Sequence, residues 1–353
     1  MQRRSLLLAA LVARGLPAQA AAAALRFPRD FGAHLATRSE WWYVTGWLGS
    51  EAEPRWGLQL TFFRSRTGLA ENQGGRFAAR QLLVAHAAVS EIGARRHRLA
   101  QRVARWSGAP DAPLAAASRT DTDLRLAGWS LVRGASGYRA RARAPEFGFD
   151  LELAPTQPVL LQGEAGVSRK GPLAAEVSRY YSEPQLALQA RLEIGGRRVE
   201  ATGRAWLDHE WSDEFLAPEA VGWDWIGINL FDGSALTAFR LRRADASVFW
   251  AGGSWRAPKA AAQSFAPDEV GFEPGPVWTS PASGARYPLQ WRIRTPAGTF
   301  GLRALFEAQE VDARASTGAS YWEGLAELLD AGGRRIGLGY LELTGYAARQ
   351  STG

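Results

Sequence analysis

Residues 205–224 read AWLDHEWSDEFLAPEAVGWD and concentrate acids, tryptophans and a histidine in one short segment. Side chains of an extended strand alternate between its two faces. A strand at this position would therefore separate two sets of side chains: Leu207, His209 and Trp211 on one face, and Trp206, Asp208 and Glu210 on the other.

Burying ionisable groups among indole rings costs free energy unless the groups are paired, protonated or in contact with a ligand. The segment therefore predicts a functional site, with a set of four candidate catalytic residues: Asp208, His209, Glu210 and Trp211. The alternative interpretation is a domain junction, in which a neighbouring acid hydrogen-bonds the histidine and the tryptophans only pack.

The segments on both sides of this stretch are short and alternating or aromatic-rich, and turn residues separate them. No segment keeps a helical periodicity for about twelve residues. Because closure of antiparallel sheets removes exposed strand edges, the sequence predicts an all-β protein of two barrels or sandwiches. The predicted strands cover residues 40–48, 56–64, 82–91, 185–194, 197–205, 223–231, 234–242, 289–294, 299–306, 321–329 and 335–346.

The clearest predicted hairpin covers residues 137–154, where charged and apolar residues alternate in both halves. A turn at residues 145–146 would place the apolar side chains on one face. The other face would then carry two charge pairs, Arg139 opposite Glu152 and Arg141 opposite Asp150. This charge ladder predicts a solvated outer surface and not a binding site.

Two short motifs, Leu60-Thr-Phe-Phe-Arg64 and Leu236-Thr-Ala-Phe-Arg240, match at four of five positions about half a chain apart. Similarity at that distance predicts two related β-domains, since solenoid repeats recur every 20–50 residues or so. Residues 267–287 are rich in proline and glycine and predict a long loop. Short helices are predicted at residues 29–36 and 213–220.

The composition is that of a globular protein of about two domains: 353 residues, fifteen tryptophans and no cysteine. Without cysteine, disulfides and thiolate metal sites are excluded. The formal charge is +7, but the arginines are dispersed and lysine occurs only at positions 170 and 259. Nucleic-acid binding requires a concentrated basic surface, so we expect no nucleic-acid partner.

The N-terminus has the pattern of an export signal over residues 1–24. Arg3 and Arg4 form a charged region, residues 5–13 are apolar, and Ala18-Gln-Ala20 is a cleavage motif. The apolar run is too short to span a bilayer. The pattern predicts a periplasmic or secreted protein, exported by either the general or the twin-arginine route.

The sequence contains no HExxH, CxxC, GxSxG or phosphate-loop motif. A metal site from His34, His86 and His209 is a minor alternative, because these residues share no local spacing. His86 is expected on an apolar strand face, as a core residue. We therefore expect no metal and no cofactor, and either acid–base chemistry or binding of an apolar ligand near the tryptophans.

Several motifs together resemble the AttH/CrtC-like family of secreted hydrolase-like proteins related to carotenoid 1,2-hydratases. They are Glu40-Trp-Trp-Tyr43, Ala85-His86, Asp208-His-Glu-Trp211, Gly222-Trp-Asp-Trp225, Tyr321-Trp-Glu-Gly324 and Gly339-Tyr-Leu-Glu-Leu-Thr-Gly-Tyr346. The resemblance implies two consecutive lipocalin-like antiparallel β-barrels, which we place at residues 25–208 and 209–353. The candidate ligand-binding residues are His34, Glu40, Trp41, Trp42, His86, Trp223, Asp224, Trp225, Tyr321, Trp322 and Glu323.

The resemblance implies less about activity than about fold. In the hydratase branch the functional residues are a His-x-Trp pair and a downstream Tyr-x-Asp pair. His209 and Trp211 match the first pair, but residues 233–240 contain neither tyrosine nor aspartate. The AttH-type branch occurs with ABC-transporter permeases. The leading hypothesis is therefore an exported protein that binds a lipid or isoprenoid-like molecule between its barrels. The alternatives are a hydratase- or hydrolase-type enzyme and a non-catalytic accessory of a permease.

Overall fold

Two large antiparallel sheets make up the chain, each curled around its own apolar core. The computed structural model describes residues 24–349, except residues 74, 76, 77, 110, 111, 113 and 215. The predicted signal segment therefore lies outside the described residues, apart from Ala24. Among the described residues, no helix is long and apolar enough to cross a membrane.

The first sheet contains thirteen strands in the order β4-β3-β2-β1-β13-β12-β9-β8-β7-β6-β5, with β10 and β11 added to β12. Strand β4 also packs against β5 and β6, so the sheet is nearly closed into a barrel. Its strands are β1 (Ser39–Gly49), β2 (Pro54–Arg66), β3 (Gln81–Glu91), β4 (Arg96–Trp106), β5 (Ala115–Ala117), β6 (Asp123–Leu126), β7 (Trp129–Gly134), β8 (Gly137–Arg143), β9 (Phe147–Ala154), β10 (Leu160–Leu161), β11 (Val167–Arg169), β12 (Val177–Ile194) and β13 (Arg197–Ser212).

The second sheet contains ten strands in the order β17-β16-β15-β14-β25-β24-β22-β21-β18, with β23 added to β24. Strands β19 and β20 form a separate small pair. The strands after Ser212 are β14 (Gly222–Leu230), β15 (Ala235–Arg242), β16 (Val248–Arg256), β17 (Gln263–Phe265), β18 (Gly271–Pro274), β19 (Val277–Thr279), β20 (Arg286–Pro288), β21 (Gln290–Thr295), β22 (Gly298–Ala304), β23 (Glu310–Asp312), β24 (Ser320–Leu329) and β25 (Arg335–Leu343).

The two sheets share one topology: the first long strand lies between the second strand and the last. Thus β1 pairs with β2 and β13, and β14 pairs with β15 and β25. The two matching sequence motifs occupy equivalent strands, β2 and β15. Their arginines form equivalent buried cross-strand ion pairs, Arg64 with Glu40 and Arg240 with Asp224. The fold is all-β, with two consecutive lipocalin-like antiparallel barrels.

Alternating sequences explain where the cores lie. One face of each strand fills the interior of its own barrel with side chains such as Trp42, Leu207 and Trp322. The opposite faces of the neighbouring long strands meet between the barrels, where Tyr43, Trp206 and others form a third apolar cluster. The two barrels therefore pack back to back, and the contact between them is itself a hydrophobic core.

Most predicted strands are confirmed within a few residues. The β8–β9 register sets Arg139 opposite Glu152 and Arg141 opposite Asp150, as predicted. The loop predicted at residues 267–287 was wrong, because β18, β19 and a short 3-10 helix, Pro267–Glu269, lie within it. Of the predicted helices, residues 29–36 contain only the 3-10 turn Arg29–Phe31, and the described part of 213–220 contains none. Sheet membership changes between Ser212 and Gly222.

Candidate functional site

Strand β13 distributes the four predicted catalytic residues over two separate environments. Asp208 and Glu210 lie on its outer face and line a cleft between the barrels. His209 and Trp211 lie on its inner face, against the core of the first barrel. Both faces are buried, so alternation along the strand gives two polar sites with a single backbone between them.

The cleft opens between the outer faces of β1, β2, β12 and β13 and the facing strands β14, β15, β24 and β25 of the second barrel. About 90 Å³ of it can hold the centre of a water molecule, and the surrounding space free of protein atoms, which includes open solvent, is about 830 Å³. Seven of its seventeen lining residues are aromatic and one is leucine, and five carboxylates and one lysine lie among them. Its lining residues are Trp41, Tyr43, Thr61, Phe63, Lys170, Ser178, Tyr180, Asp208, Glu210, Ser212, Glu214, Trp223, Trp225, Phe239, Leu241, Glu323 and Glu342.

Asp208 is fully enclosed, and three neutral donors point at its carboxylate. Tyr180 Oη donates to Oδ2 at 2.8 Å, while Ser182 Oγ and Trp206 Nε1 donate to Oδ1 at 2.5 and 2.7 Å. Burial raises the pKa of Asp208 to about 7, although these hydrogen bonds act in the opposite direction. Asp208 can therefore hold or release a proton near neutral pH, which is the property of a general acid or base.

Glu210 lies one position further along the same face and forms the one ion pair that the described cleft residues make with lysine. Lys170 Nζ is 2.8 Å from Glu210 Oε1. The same ammonium lies 4.3 Å from the ring centroid of Phe239 and 5.0 Å from that of Tyr180. This end of the cleft thus holds a positive charge between a carboxylate and two aromatic faces.

Two further carboxylates come from the second barrel. Glu323 of β24 and Glu342 of β25 are direct cross-strand partners. Gln59 Nε2 donates to Glu323 at 2.6 Å, and Trp223 Nε1 donates to Glu342 at 3.0 Å. Burial raises the pKa of both carboxyl groups, and the negative charge of Glu342 raises that of Glu323 further.

Behind β13, Glu40 is the centre of a buried network that we call the histidine cluster: Asp30, His34, Glu40, Arg64, Tyr181 and His209. Glu40 Oε1 accepts hydrogen bonds from His34 Nδ1 at 2.7 Å and from His209 Nε2 at 2.9 Å. Arg64 Nε donates to Oε2 at 2.7 Å. Burial acts to raise the pKa of Glu40, but these partners outweigh it and hold the pKa well below its usual range.

Stacked rings fix the orientation of both histidines in this cluster. His34 stacks on Trp211 with ring centroids 3.7 Å apart, and His209 stacks on Trp42 at 4.4 Å. Burial lowers the pKa of His209 to about 4, so its ring is neutral at pH 7. Because Nε2–H of His209 donates to Glu40, its Nδ1 accepts from Tyr181 Oη at 3.0 Å.

His34, Glu40 and His209 place three ligand atoms within 4.8 Å of one another, which is close enough to share a metal ion. A metal would have to replace the two histidine–carboxylate hydrogen bonds and compete with the guanidinium of Arg64 for Glu40. The protein groups already satisfy one another, so the geometry fits a structural hydrogen-bond network better than a metal centre.

The remaining predicted ligand-binding residues lie in three places. Trp41, Trp223, Trp225 and Glu323 line the cleft. Trp322 and Asp224 belong to the second barrel, where Trp322 Nε1 donates to Glu307 O and Asp224 pairs with Arg240 and Arg242. His86 and Tyr321 form a buried hydrogen bond of 2.8 Å between the barrels, and His86 also contacts Ser316 Oγ.

Several cleft residues were not predicted from the sequence: Tyr43, Lys170, Ser178, Tyr180, Phe239 and Glu342. The sequence offered a signal for two of these residues. Glu342 lies in the motif that begins at Gly339, and Tyr180 lies one residue before Tyr181 in a run of buried polar residues. Lys170 offered none, because a loop after β11 brings it to the cleft.

Comparisons with known proteins agree with this architecture. A structure of an AttH protein from Nitrosomonas europaea is 43% identical, covers 94% of this chain and 98% of its own, and superposes with a TM-score of 0.83. Kievitone hydratase from Nectria haematococca shares the fold at 14% identity, with 93% and 94% coverage and a TM-score of 0.68. A search of curated protein sequences finds no match. The AttH-like family pattern matches residues 18–346, so the chain belongs to the AttH-like family.

Proposed function

We propose that this protein binds a hydrophobic small molecule, lipid or isoprenoid-like, in the cleft between its barrels. The supporting observation is the composition of the cleft wall, where seven aromatic side chains lie among convergent polar groups. Ligand sites in proteins typically combine a mainly apolar lining with few polar groups that orient the ligand. The barrel interiors are filled by side chains, which favours the cleft over either barrel as the site.

Fluorescence tests the proposal, because Trp41, Trp223 and Trp225 line the cleft. We expect the neutral dye N-phenyl-1-naphthylamine to bind the purified protein and to quench tryptophan emission by energy transfer. Leu241→Trp should fill the cleft and weaken binding at least tenfold. Leu69→Trp, at a site 84% exposed, is the matched control and should bind like wild type.

Two results would count against cleft binding. One is a folded wild-type protein that binds neither the dye nor any component of a lipid extract. The other is a Leu241→Trp variant that is folded, as judged by circular dichroism, and still binds with wild-type affinity. Native mass spectrometry of protein purified gently from its own cell envelope would identify a retained ligand directly.

A second candidate function is proton-transfer catalysis of the hydratase type, favoured by the carboxyl group of Asp208 with its pKa of about 7. In such a reaction Asp208 would protonate one alkene carbon, the oxygen of water would bond to the other carbon, and the surplus proton would return to the carboxylate. His209 lies behind β13, so it would act only by positioning the strand. Product formed from an identified ligand in ¹⁸O-water should carry ¹⁸O, and folded Asp208→Asn should form none.

We further propose export to the cell envelope, based on the charged and apolar pattern of the first 24 residues. N-terminal sequencing of protein from the periplasmic or secreted fraction should begin shortly after Ala20. Protein found only in the cytosol with an intact Met1 would contradict export. An ABC-transporter permease partner is part of the same proposal, and its test is co-purification from solubilised inner membranes.

A further inference from the structure

The carboxylate pair of Glu323 and Glu342 is unusual in its position. Two acids stand directly opposite each other on neighbouring strands, where like charges destabilise a sheet. Their hydrogen-bond donors, Gln59 and Trp223, are neutral. Within the described part of the chain, neither acid forms an ion pair with lysine, arginine or histidine, although most other buried acids do. The pair therefore lacks a positive counterpart.

Two polar atoms beside this pair also lack a hydrogen-bond partner of ordinary geometry. Glu323 Oε1 and the hydroxyl oxygen of Tyr43 are both buried, and neither makes a hydrogen bond of ordinary distance and angle among the described residues, although the two side chains interact with each other and Glu323 also interacts with Tyr321. Both side chains line the cleft, and Glu323 is 1% exposed. When it is ionised, a carboxylate oxygen is an acceptor only, so in that state it fits a donor or a cation and not another acceptor.

Elsewhere in the same cleft, a lysine completes a comparable carboxylate site. There the Lys170 ammonium pairs with Glu210 and lies over the rings of Tyr180 and Phe239. The surroundings of Glu323 are similar to those of Glu210, because carboxylates lie beside aromatic side chains there too. In the lining as a whole, five carboxylates face one ammonium. A positive charge with an apolar surface would complement the surroundings of Glu323.

We propose that the cleft takes an organic cation, an apolar molecule with an ammonium or quaternary ammonium group held against Glu323 and Glu342. The inference rests on the proposed function, since it specifies the ligand class for the same cleft. The apolar body of the ligand lies against the tryptophan and tyrosine rings, and its charge neutralises the carboxylate pair. Quaternary ammonium groups are recognised in this way by aromatic cages.

A matched pair of probes tests the charge alone. Benzyltrimethylammonium and neopentylbenzene have nearly the same shape, but only the first is charged. Calorimetric titration of the mature full chain at pH 7.5 should give at least tenfold tighter binding for the cation. In Glu323→Gln and Glu342→Gln, the ratio of the two affinities should fall towards one. Glu200→Gln, at an exposed position on β13, is the control and should keep the wild-type ratio.

Binding of the cation should also become tighter as pH rises from about 5.5 to 8, because protonated carboxyl groups must ionise to pair with it. The titratable and charged groups that face the pair are Tyr43, Lys170, Tyr180, Asp208, Glu210, Glu214, Tyr321 and Tyr340. The affinity for neopentylbenzene should not follow this trend. The pH dependence of wild-type protein therefore tests the proposal even if a glutamine variant fails to fold.

The outcomes separate this inference from the proposed function. If the neutral probe binds as tightly as the cation, the cation inference is overturned and cleft binding stands. If the cation is preferred but the preference is the same in both folded glutamine variants, the carboxylate pair is not its site and the inference is again overturned. If neither probe nor the neutral dye binds, both proposals fail together.

Discussion

Glu40 shows how one buried carboxylate organises its surroundings. It accepts hydrogen bonds from His34 and His209 and pairs with Arg64, which is 1% exposed. Removing one member of a buried ion pair leaves the other charge without compensation, and this costs more free energy than the pair itself contributes. The role of Glu40 in stability is therefore separable from any role of the cleft.

We predict that Glu40→Gln lowers the free energy of unfolding by about 3–5 kcal/mol, because Arg64 and two histidines lose their common acceptor. Urea unfolding followed by circular dichroism measures this effect. Glu71→Gln is the matched control, since it breaks a glutamate–arginine pair with Arg66 at the surface and should have a far smaller effect. Equal destabilisation by the two substitutions would contradict the importance of burial.

Individual residues of the site were predictable from the sequence where strand alternation determined them or where the family motifs contain them, as they do Trp41, Trp223 and Glu323. The separation of Asp208 and Glu210 from His209 and Trp211 follows from a period of two, and the structure has that separation. Their partners were not predictable in the same way. Lys170 reaches the cleft from a loop after β11, and no local pattern encodes such a non-local contact.

Strand β12 contacts the second barrel through an irregular position in its pairing with β13. Its pairing with β13 is interrupted between Glu183 and Leu186 by a bulge that contains Pro184, which has no N–H for the ladder. Gln185 in this bulge has φ of 58° and is 1% exposed. Its side chain donates to the carbonyl oxygens of Leu230 and Ser234 in the second barrel.

We predict that Gln185→Ala destabilises the protein by about 2 kcal/mol, because two buried carbonyl groups lose their donor. Gln185→Gly loses the same hydrogen bonds but relieves the left-handed conformation. It should therefore be about 1 kcal/mol more stable than the alanine variant. Chemical unfolding of both variants measures the difference. A glycine variant less stable than the alanine variant would contradict the assigned strain.

The pattern of strands was predictable because most have clear alternation and turn residues between them. The charge ladder of β8 and β9 has the predicted pairing, and the strands predicted at residues 185–194 and 197–205 pair through a turn at Gly195 and Gly196. The segment from 267 to 287 was misassigned because proline and glycine there separate strands of only three or four residues. Such short strands are held by tertiary contacts and carry too few residues for a periodicity to be recognised.

For the whole molecule, buried titratable groups exert opposite influences on stability between pH 4 and 7. Burial lowers the pKa of His86, His97 and His209 to about 4, so their neutral state favours folding as pH rises towards 6.5. Burial raises the pKa of Asp208 to about 7, so the contribution of Asp208 to the free energy of unfolding falls as pH rises from 3.8 towards 7. Wild-type stability reflects the partial cancellation of these terms.

We predict that two substitutions change the pH dependence of the free energy of unfolding in opposite directions. Asp208→Asn removes a group that binds a proton only when folded, so the slope of unfolding free energy against pH becomes more positive by up to about 1.4 kcal/mol per pH unit. His86→Gln removes a group that binds a proton only when unfolded, so the slope becomes more negative. Unfolding curves from pH 4.5 to 6.5 measure both slopes. Profiles parallel to wild type would contradict the pKa shifts of Asp208 and His86.

The alternation of β12 and β13 has one last consequence. Tyr180 bonds Asp208 on the cleft side, while Tyr181 bonds His209 on the barrel side, so the two hydrogen-bonded pairs stand back to back across a partition one backbone thick. A molecule in the cleft that displaces these strands should also displace the neutral imidazole of His209, which is buried from solvent. The nitrogen NMR resonances of His209 should therefore shift when the cleft is occupied, and this measurement requires no label on the ligand.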